Sequence, residues 1–186
     1  MLKKNFLFLG LVVLLCGVLA TGCSPKKEEP TPPPVVVEDY VVGDAFSGEN
    51  AENYWGPYGN GSFVLEGGAI VFDTSVADAW LTLNFKEDPN PVDKYKYVVI
   101  TLKADNPSDA ANAHMKLGNL GMSFTDWGIT LSTDYTAYVV DLVAKGVTAW
   151  GDASQGQPDF ALNKVGAVSA KIYVDKIVLT NNPPAQ

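Results

Sequence analysis

The chain has 186 residues, with thirteen basic and twenty-one acidic side chains, a formal net charge of −8 and one His. All thirteen basic residues are Lys, which argues against nucleic acid as a partner, because phosphate contacts need a basic stripe and base recognition relies on Arg. Hydrophobic residues make up 47% of the chain, which excludes a wholly disordered polypeptide and is enough for one ordinary domain and a targeting segment.

Residues 1–22 have the pattern of a secretion signal. A basic start precedes an uncharged apolar run over 5–20, which at about 1.5 Å per residue is short for a permanent membrane span. The next residues, Ala20-Thr21-Gly22-Cys23, resemble the bacterial lipoprotein signal, in which the Cys thiol accepts lipid. The resemblance implies a lipoprotein signal peptide over 1–22 and lipidation of Cys23. The alternative is an uncleaved signal anchor.

Both interpretations predict an exported chain that is tethered to the cell membrane on its extracellular face. Cys16 would leave with the signal peptide and Cys23 would be acylated, so no disulfide is expected. Residues 23–37 are charged and rich in Pro, which is typical of an extended, semi-rigid linker. The folded domain is expected over 38–182, followed by a short disordered tail over 183–186.

The region 38–182 alternates apolar and polar residues with a period of two, which predicts β-strands and not amphipathic helices. Five segments show the alternation best: Ala79–Lys86, Tyr95–Lys103, Ala111–Leu117, Thr136–Leu142 and Lys171–Thr180. Shorter candidates are Tyr40–Asp44, Ser62–Glu66, Ala69–Asp73 and Gly128–Leu131, and Val143–Val147 could form one helical turn. Clusters of Gly, Pro, Asn and Asp separate them. The pattern predicts an all-β antiparallel β-sandwich.

Three segments resemble, in the same order, those of jelly-roll carbohydrate-binding modules with the galactose-binding-like fold. Tyr95–Ala104 resembles their central strand, Leu131–Leu142 their Thr-aromatic-Thr segment with its following strand, and Ile172–Leu179 their closing strand. The resemblance implies a domain that binds a polysaccharide or oligosaccharide without catalysis. Because this fold also serves receptors and adhesion proteins, a surface domain that contacts protein or cell wall without a sugar site is the alternative.

Aromatic side chains are the first candidates for a sugar site, because the C–H faces of sugars stack on aromatic rings. The segment 53–60 has three large aromatic residues among Gly, Pro and Asn, and we interpret it as a loop too short to bury every ring. Two further tryptophans also lie beside glycines and acidic residues. The predicted platform is therefore Trp55, Tyr58, Trp127 and Trp150. The alternative is that these tryptophans belong to the core, where most tryptophans are found and where we expect Trp80 to lie.

His114 and Lys116 are predicted to share one face of a strand, opposite Ala113, Met115 and Leu117. On a ligand-binding sheet face they would contact sugar hydroxyls. The alternative is a solvated face without a ligand.

Asp175 interrupts an apolar strand, where a buried carboxylate must be paired or coordinated. The resemblance implies a structural Ca²⁺ ion between the first and last strands, and calcium prefers several oxygen ligands. The family often opens with an Asn/Asp-x-Phe-Glu-x-Gly stretch, in which Ser47 replaces the Glu here. The candidate ligands are Asp175, Asp44 and Glu49. The alternative is an ion pair of Asp175 with Lys171 or Lys176.

Catalysis has little support in the sequence. We find no Ser/His/Asp, zinc or phosphate-loop pattern. Carboxylates are plentiful, so a small glycan hydrolase with a pair of acidic residues is a second alternative. The leading hypothesis is a lipid-anchored β-sandwich that binds polysaccharide at the bacterial cell surface.

Overall fold

The structure, a computed structural model, describes residues 37–46, 53–60, 63–86, 91–151, 157–166 and 169–185. The predicted signal peptide, Cys23 and nearly all of the linker lie outside these residues, as does Glu49. Within the described residues, no helix is long and apolar enough to span a membrane.

Short strands joined by tight turns dominate the described part of the chain. The strands are β1 (Tyr40–Asp44), β2 (Tyr54–Gly59), β3 (Phe63–Glu66), β4 (Ala69–Asp73), β5 (Trp80–Phe85), β6 (Tyr97–Ala104), β7 (His114–Leu117), β8 (Leu120–Ser123), β9 (Thr136–Asp141), β10 (Phe160–Asn163) and β11 (Lys171–Thr180). Four single helical turns connect them: α1 (Pro91–Lys94), α2 (Pro107–Ala110), α3 (Phe124–Trp127) and α4 (Leu142–Lys145).

The strands form two antiparallel sheets, which confirms the predicted antiparallel β-sandwich. The six-stranded sheet has the order β3-β4-β11-β6-β9, with β1 paired to the second half of β11 beside β4. The five-stranded sheet has the order β2-β5-β10-β7-β8. Neighbours in each sheet are mostly far apart in sequence, so long-range pairing determines which side chains meet.

The hydrophobic core lies between the sheets and follows the alternation of the strands. In β5, the buried side chains of Leu81, Leu83 and Phe85 alternate with Trp80, Thr82 and Asn84, which lie on the outer face. Burial of an aliphatic or aromatic side chain of this size contributes about 1.5–3 kcal/mol relative to exposure. The same alternation places Met115 and Leu117 of β7 in the core.

Two sequence predictions about individual segments are wrong. The segment 53–60 is not a loop, because residues 54–59 form β2 and pair with β5 across a register shift between Trp55 and Tyr58. Gly128–Leu131 is not a strand: Gly128 ends α3 in the left-handed conformation, with φ 83°. Ile129 and Leu131 are apolar because they are buried in the core and not because a strand alternates there. The helical turn expected over Val143–Val147 is confirmed: it is α4, which begins one residue earlier, at Leu142.

Candidate functional site

The outer side of the five-stranded sheet brings together side chains from five strands in two rows. One row is formed by Trp80, Asn163, His114 and Ser123, which are paired across β5, β10, β7 and β8. The next row is formed by Tyr58, Thr82, Ala161, Lys116 and Gly121. These nine residues and Asn84, which lies beyond Thr82 on β5, are called the five-strand face below. Carboxylates are absent from these ten positions.

Tyr58 and Trp80 are the exposed aromatic residues of the five-strand face that the structure describes. Tyr58 is 54% exposed and Trp80 is 39% exposed. Tyr58 lies opposite Thr82, two residues from Trp80 on the neighbouring strand. Side chains in this diagonal relation lie about 7–8 Å apart, within reach of aromatic rings. The two rings can therefore form one continuous aromatic surface.

Trp80 corrects our expectation that it belongs to the core. It lies in the same alternation as Thr82 and Asn84, opposite the buried Leu81 and Leu83. That period-two pattern is the sequence signal that places it outside. Trp55 pairs with Asn84 in the strand ladder. Its side chain lies outside the described residues, so its role stays a prediction.

Trp127 and Trp150 are wrong as platform residues, because both are buried. Trp127 is 2% exposed, in α3, and its indole Nε1 donates to the carbonyl oxygen of Met115 at 2.7 Å. Trp150 is 8% exposed and packs edge-on against Phe85, with ring centroids 5.0 Å apart. Both rings belong to the hydrophobic core, so a sugar cannot stack on them.

His114 and Lys116 share the five-strand face, opposite the buried Met115 and Leu117, as the alternation predicts. Whether they bind sugar stays a prediction. Lys116 is half-buried, and its Nζ donates to the carbonyl oxygen of Pro158 at 2.8 Å. Burial lowers the pKa of Lys116, while the nearby charge of Asp159 acts in the opposite direction.

Asp159, which sequence reasoning missed, is a buried carboxylate at the edge of this face. It is 7% exposed. Its Oδ2 accepts from the backbone N–H of Phe85 at 2.6 Å, and its Oδ1 accepts from that of Gly151 at 2.7 Å. Burial raises the pKa of Asp159 to about 6, although both hydrogen bonds and Lys116 favour the charged form.

The polar neighbours of Asp159 belong to the five-strand face. Its own N–H donates to Oδ1 of Asn84 at 3.2 Å, and the residue before it, Pro158, accepts the hydrogen bond from Lys116. Residues that come from separate strands are thus connected at this point. No motif marks this cluster in the sequence, because it depends on the pairing of β5, β10 and β7.

Two of the three candidate calcium ligands, Asp44 and Asp175, lie on the paired strands β1 and β11. The carboxylate of Asp44 pairs with Nζ of Lys176. Asp175 lies at a register shift in β11 and is half-buried, and its carbonyl oxygen accepts from the N–H of Ala45 at 3.0 Å. Three or more clustered His, Cys, Asp or Glu side chains that could hold a metal are not found among the described residues. Because Glu49 lies outside them, the calcium site stays a prediction.

Comparison with known proteins identifies similar structures but no similar sequence. No family model and no curated protein matches the chain. A variant of the carbohydrate-binding module CBM29-2 aligns with a TM-score of 0.53 at 13% identity, over 78% of this chain and 94% of the module. A second variant, complexed with cellulohexaose, aligns with a TM-score of 0.53 at 13% identity, over 76% of this chain and 89% of the other. The chain therefore has the β-sandwich fold that is found in carbohydrate-binding modules.

Proposed function

We propose that this chain binds polysaccharide without catalysis through the five-strand face. The observation that supports this most directly is the neighbouring pair of exposed rings, Tyr58 and Trp80, on a sheet face that is otherwise polar or small. Such rings have apolar faces for sugar C–H groups and a polar edge. The amide, imidazole and ammonium groups of Asn163, His114 and Lys116 lie beside them in the same two rows and can hydrogen-bond sugar hydroxyls.

The dimensions of the face favour a run of several sugar units. Its second row crosses five strands, and neighbouring strands are about 4.8 Å apart, so the row is about 19 Å long. Ala161 in the middle of this row and Gly121 at its far end have no large side chain that would obstruct a ligand. A Cβ on Gly121 would meet nothing within 4 Å. We propose that an extended glycan lies along this row, on the aromatic pair at one end and beside Lys116 at the other.

Affinity electrophoresis of the full chain through gels that contain xylan, β-glucan, mannan, pectin or starch tests this function. We expect retardation by at least one polymer and a loss of affinity of about tenfold or more in Tyr58→Ala and Trp80→Ala, because truncated aromatic anchors dominate binding energies. Both side chains are exposed, so the variants should stay folded.

Tyr135→Ala is the matched control. Tyr135 is 43% exposed, but it lies next to β9, where Nζ of Lys103 is 4.5 Å from its ring centroid. This variant should bind as the parent does. If none of the polymers retards the chain, the proposal is contradicted and a protein or cell-wall partner is favoured.

We also propose, from the sequence pattern, that lipid on Cys23 anchors the chain at the bacterial cell surface. Several acyl chains on one Cys would meet the condition that stable membrane attachment takes at least two anchoring signals. Cys23→Ser should move the protein from the membrane fraction to the soluble fraction and abolish incorporation of labelled palmitate. Continued membrane attachment of this variant would favour the uncleaved signal anchor.

A further inference from the structure

Asp159 is a buried carboxylate whose hydrogen bonds the proposed function does not use. One oxygen holds the N–H of Phe85, at the end of β5, and the other holds the N–H of Gly151, in the segment that follows Trp150. The main chain of Asp159 is also fixed, because its carbonyl oxygen accepts from Gly118 at 2.7 Å, in the turn between β7 and β8. Asp159 therefore connects three separate parts of the chain beside the five-strand face.

Two polar side chains of the face depend on the same position. Asn84 accepts from the N–H of Asp159, which fixes its amide oxygen, and Lys116 donates to the carbonyl oxygen of the adjoining Pro158. Groups that are already held in their binding geometry lose less entropy when a ligand binds, so fixing them raises affinity.

The buried charge is unfavourable for the fold, which makes a purely structural role an incomplete explanation. Burial raises the pKa of Asp159 to about 6, so the ionised form is less stable in the folded protein than in water. Ionisable groups whose pKa is strongly shifted by burial are concentrated at functional sites. Among the described residues the charged group that acts on Asp159 is Lys116 of β7. The facing strand β5 contains no titratable residue.

We propose that Asp159 is a positioning residue of the five-strand face. Its ionised carboxylate holds the N–H groups of Phe85 and Gly151, and this anchors the main chain whose N–H and adjoining Pro158 carbonyl fix Asn84 and Lys116 in the arrangement that binds sugar. This inference rests on the proposed function. Protonation of the Asp159 carboxylate leaves one good acceptor oxygen instead of two and removes the negative charge near Lys116. The hydrogen bond from the N–H of Phe85 or of Gly151 then weakens, and Asn84 and Lys116 are no longer held in their binding geometry. Sugar affinity therefore falls as the pH drops through the titration of Asp159.

The test measures affinity against pH, with cellohexaose as the soluble probe together with any polymer that retards the chain. Between pH 7.5 and 5 we expect the parent's affinity to fall about three- to tenfold, the effect of losing one hydrogen-bond constraint on a binding group. Asp159→Asn has the same shape but cannot ionise, so its affinity should be low at both pH values. Asp134→Asn, which changes an exposed carboxylate, should retain the parent's profile.

Two further measurements distinguish the ionisation of Asp159 from other causes of pH-dependent binding. Histidine side chains titrate in the same range, so the profile is repeated in a His114→Gln background, where the pH dependence should persist. In the protein without ligand, the amide NMR signals of Phe85 and Gly151 should titrate together with a midpoint near pH 6 in the parent and should not titrate in Asp159→Asn.

The outcomes distinguish failure of the inference from failure of the proposed function. Amide signals that do not titrate, or an Asp159→Asn variant that binds like the parent at pH 7.5, would overturn the positioning role while sugar binding stands. Binding to no glycan at any pH would overturn the function itself and the positioning role with it. An affinity that falls with the amide titration would support both.

Discussion

Burial, and not residue type, separates the three tryptophans whose side chains the structure describes into core and surface positions. Trp127 and Trp150 belong to the hydrophobic core, whereas Trp80 lies on the outer face of β5. The sequence around Trp127 contains Gly128 and Asp126, which are typical of an exposed loop, but both residues belong to the cap structure of α3. Local composition cannot distinguish an exposed turn from a turn whose own indole ring is buried, because the difference depends on the residues against which the turn packs.

Replacement of Trp127 by Phe should therefore affect stability and not sugar binding. The variant removes the N–H that the carbonyl oxygen of Met115 accepts and leaves a small cavity, so unfolding should become easier by about 2–4 kcal/mol. Trp80→Phe, at an exposed position, should change stability by no more than about 0.5 kcal/mol. Urea denaturation of both variants measures the difference. Equal stabilities would mean that Trp127 does not occupy the buried site described here.

Asp159 should give the protein a pH dependence of stability with a defined sign. Its pKa is about 6 in the folded state, above its ordinary value of about 3.9. Protons therefore bind the folded state more tightly, so the free energy of unfolding should increase as the pH falls from 7.5 towards 4. The contribution of this carboxyl group is about 2–3 kcal/mol.

Comparison with Asp159→Asn isolates this contribution, because the other titrating groups are common to both proteins. The difference in unfolding free energy between parent and variant should grow in favour of the parent on acidification, mainly between pH 7 and 4. Parallel pH profiles would show that the carboxylate is not buried as described. The form that stabilises the fold is thus the protonated one, while the proposed binding form is ionised. Such opposition between stability and function is common at binding sites.

At the scale of strands, the sequence was informative where alternation was long and uninterrupted. It predicts β5, β6, β9 and β11 nearly to their ends, because each has at least six residues of clear apolar and polar alternation. It misses β2, where Gly56 and Pro57 interrupt the strand at the register shift. It also misses β8 and β10, each of four residues and too short for a periodic signal. Those three strands complete the five-stranded sheet, so the face they help to form could not be assembled beforehand.

The turn between β7 and β8 requires a glycine at position 118. Gly118 has φ 56°, and a Cβ there would lie 2.2 Å from the carbonyl oxygen of Ala149. Gly118→Ala would combine backbone strain with a collision against main chain, so we expect a loss of about 3 kcal/mol or more. Gly146 is the matched control: its φ is 80°, but a Cβ would meet nothing within 4 Å. Gly146→Ala should lose only about 1–2 kcal/mol.

Guanidinium denaturation of the two alanine variants checks this comparison. Because Gly118 joins the strand that holds His114 and Lys116 to its edge neighbour, the Gly118 variant should also bind sugar more weakly, whereas the Gly146 variant should not. Equal losses of stability would show that the turn can move away from Ala149 without cost.

The two outer surfaces of the sandwich differ in what their tyrosines contact. On the six-stranded sheet, Tyr135 and Tyr173 flank Nζ of Lys103, at 4.5 Å and 4.9 Å from the ring centroids. Such cation–π contacts already engage the ring faces. On the five-stranded sheet, Tyr58 is 54% exposed and lies in one row with Thr82, Ala161 and Lys116. We therefore expect glycan on one face of the sandwich only.

Ligand-induced stabilisation of the complete chain tests this asymmetry. A glycan that binds only the folded state adds about 2.7 kcal/mol at a hundred times its Kd, which for a chain of this size raises Tm by about 5–10 °C. The double variant Tyr58→Ala/Trp80→Ala should lose the shift. The double variant Tyr135→Ala/Tyr173→Ala should keep it, apart from a lower starting Tm. The reverse pattern would assign the sugar to the six-stranded sheet, and a shift halved in both variants would mean that each face binds glycan.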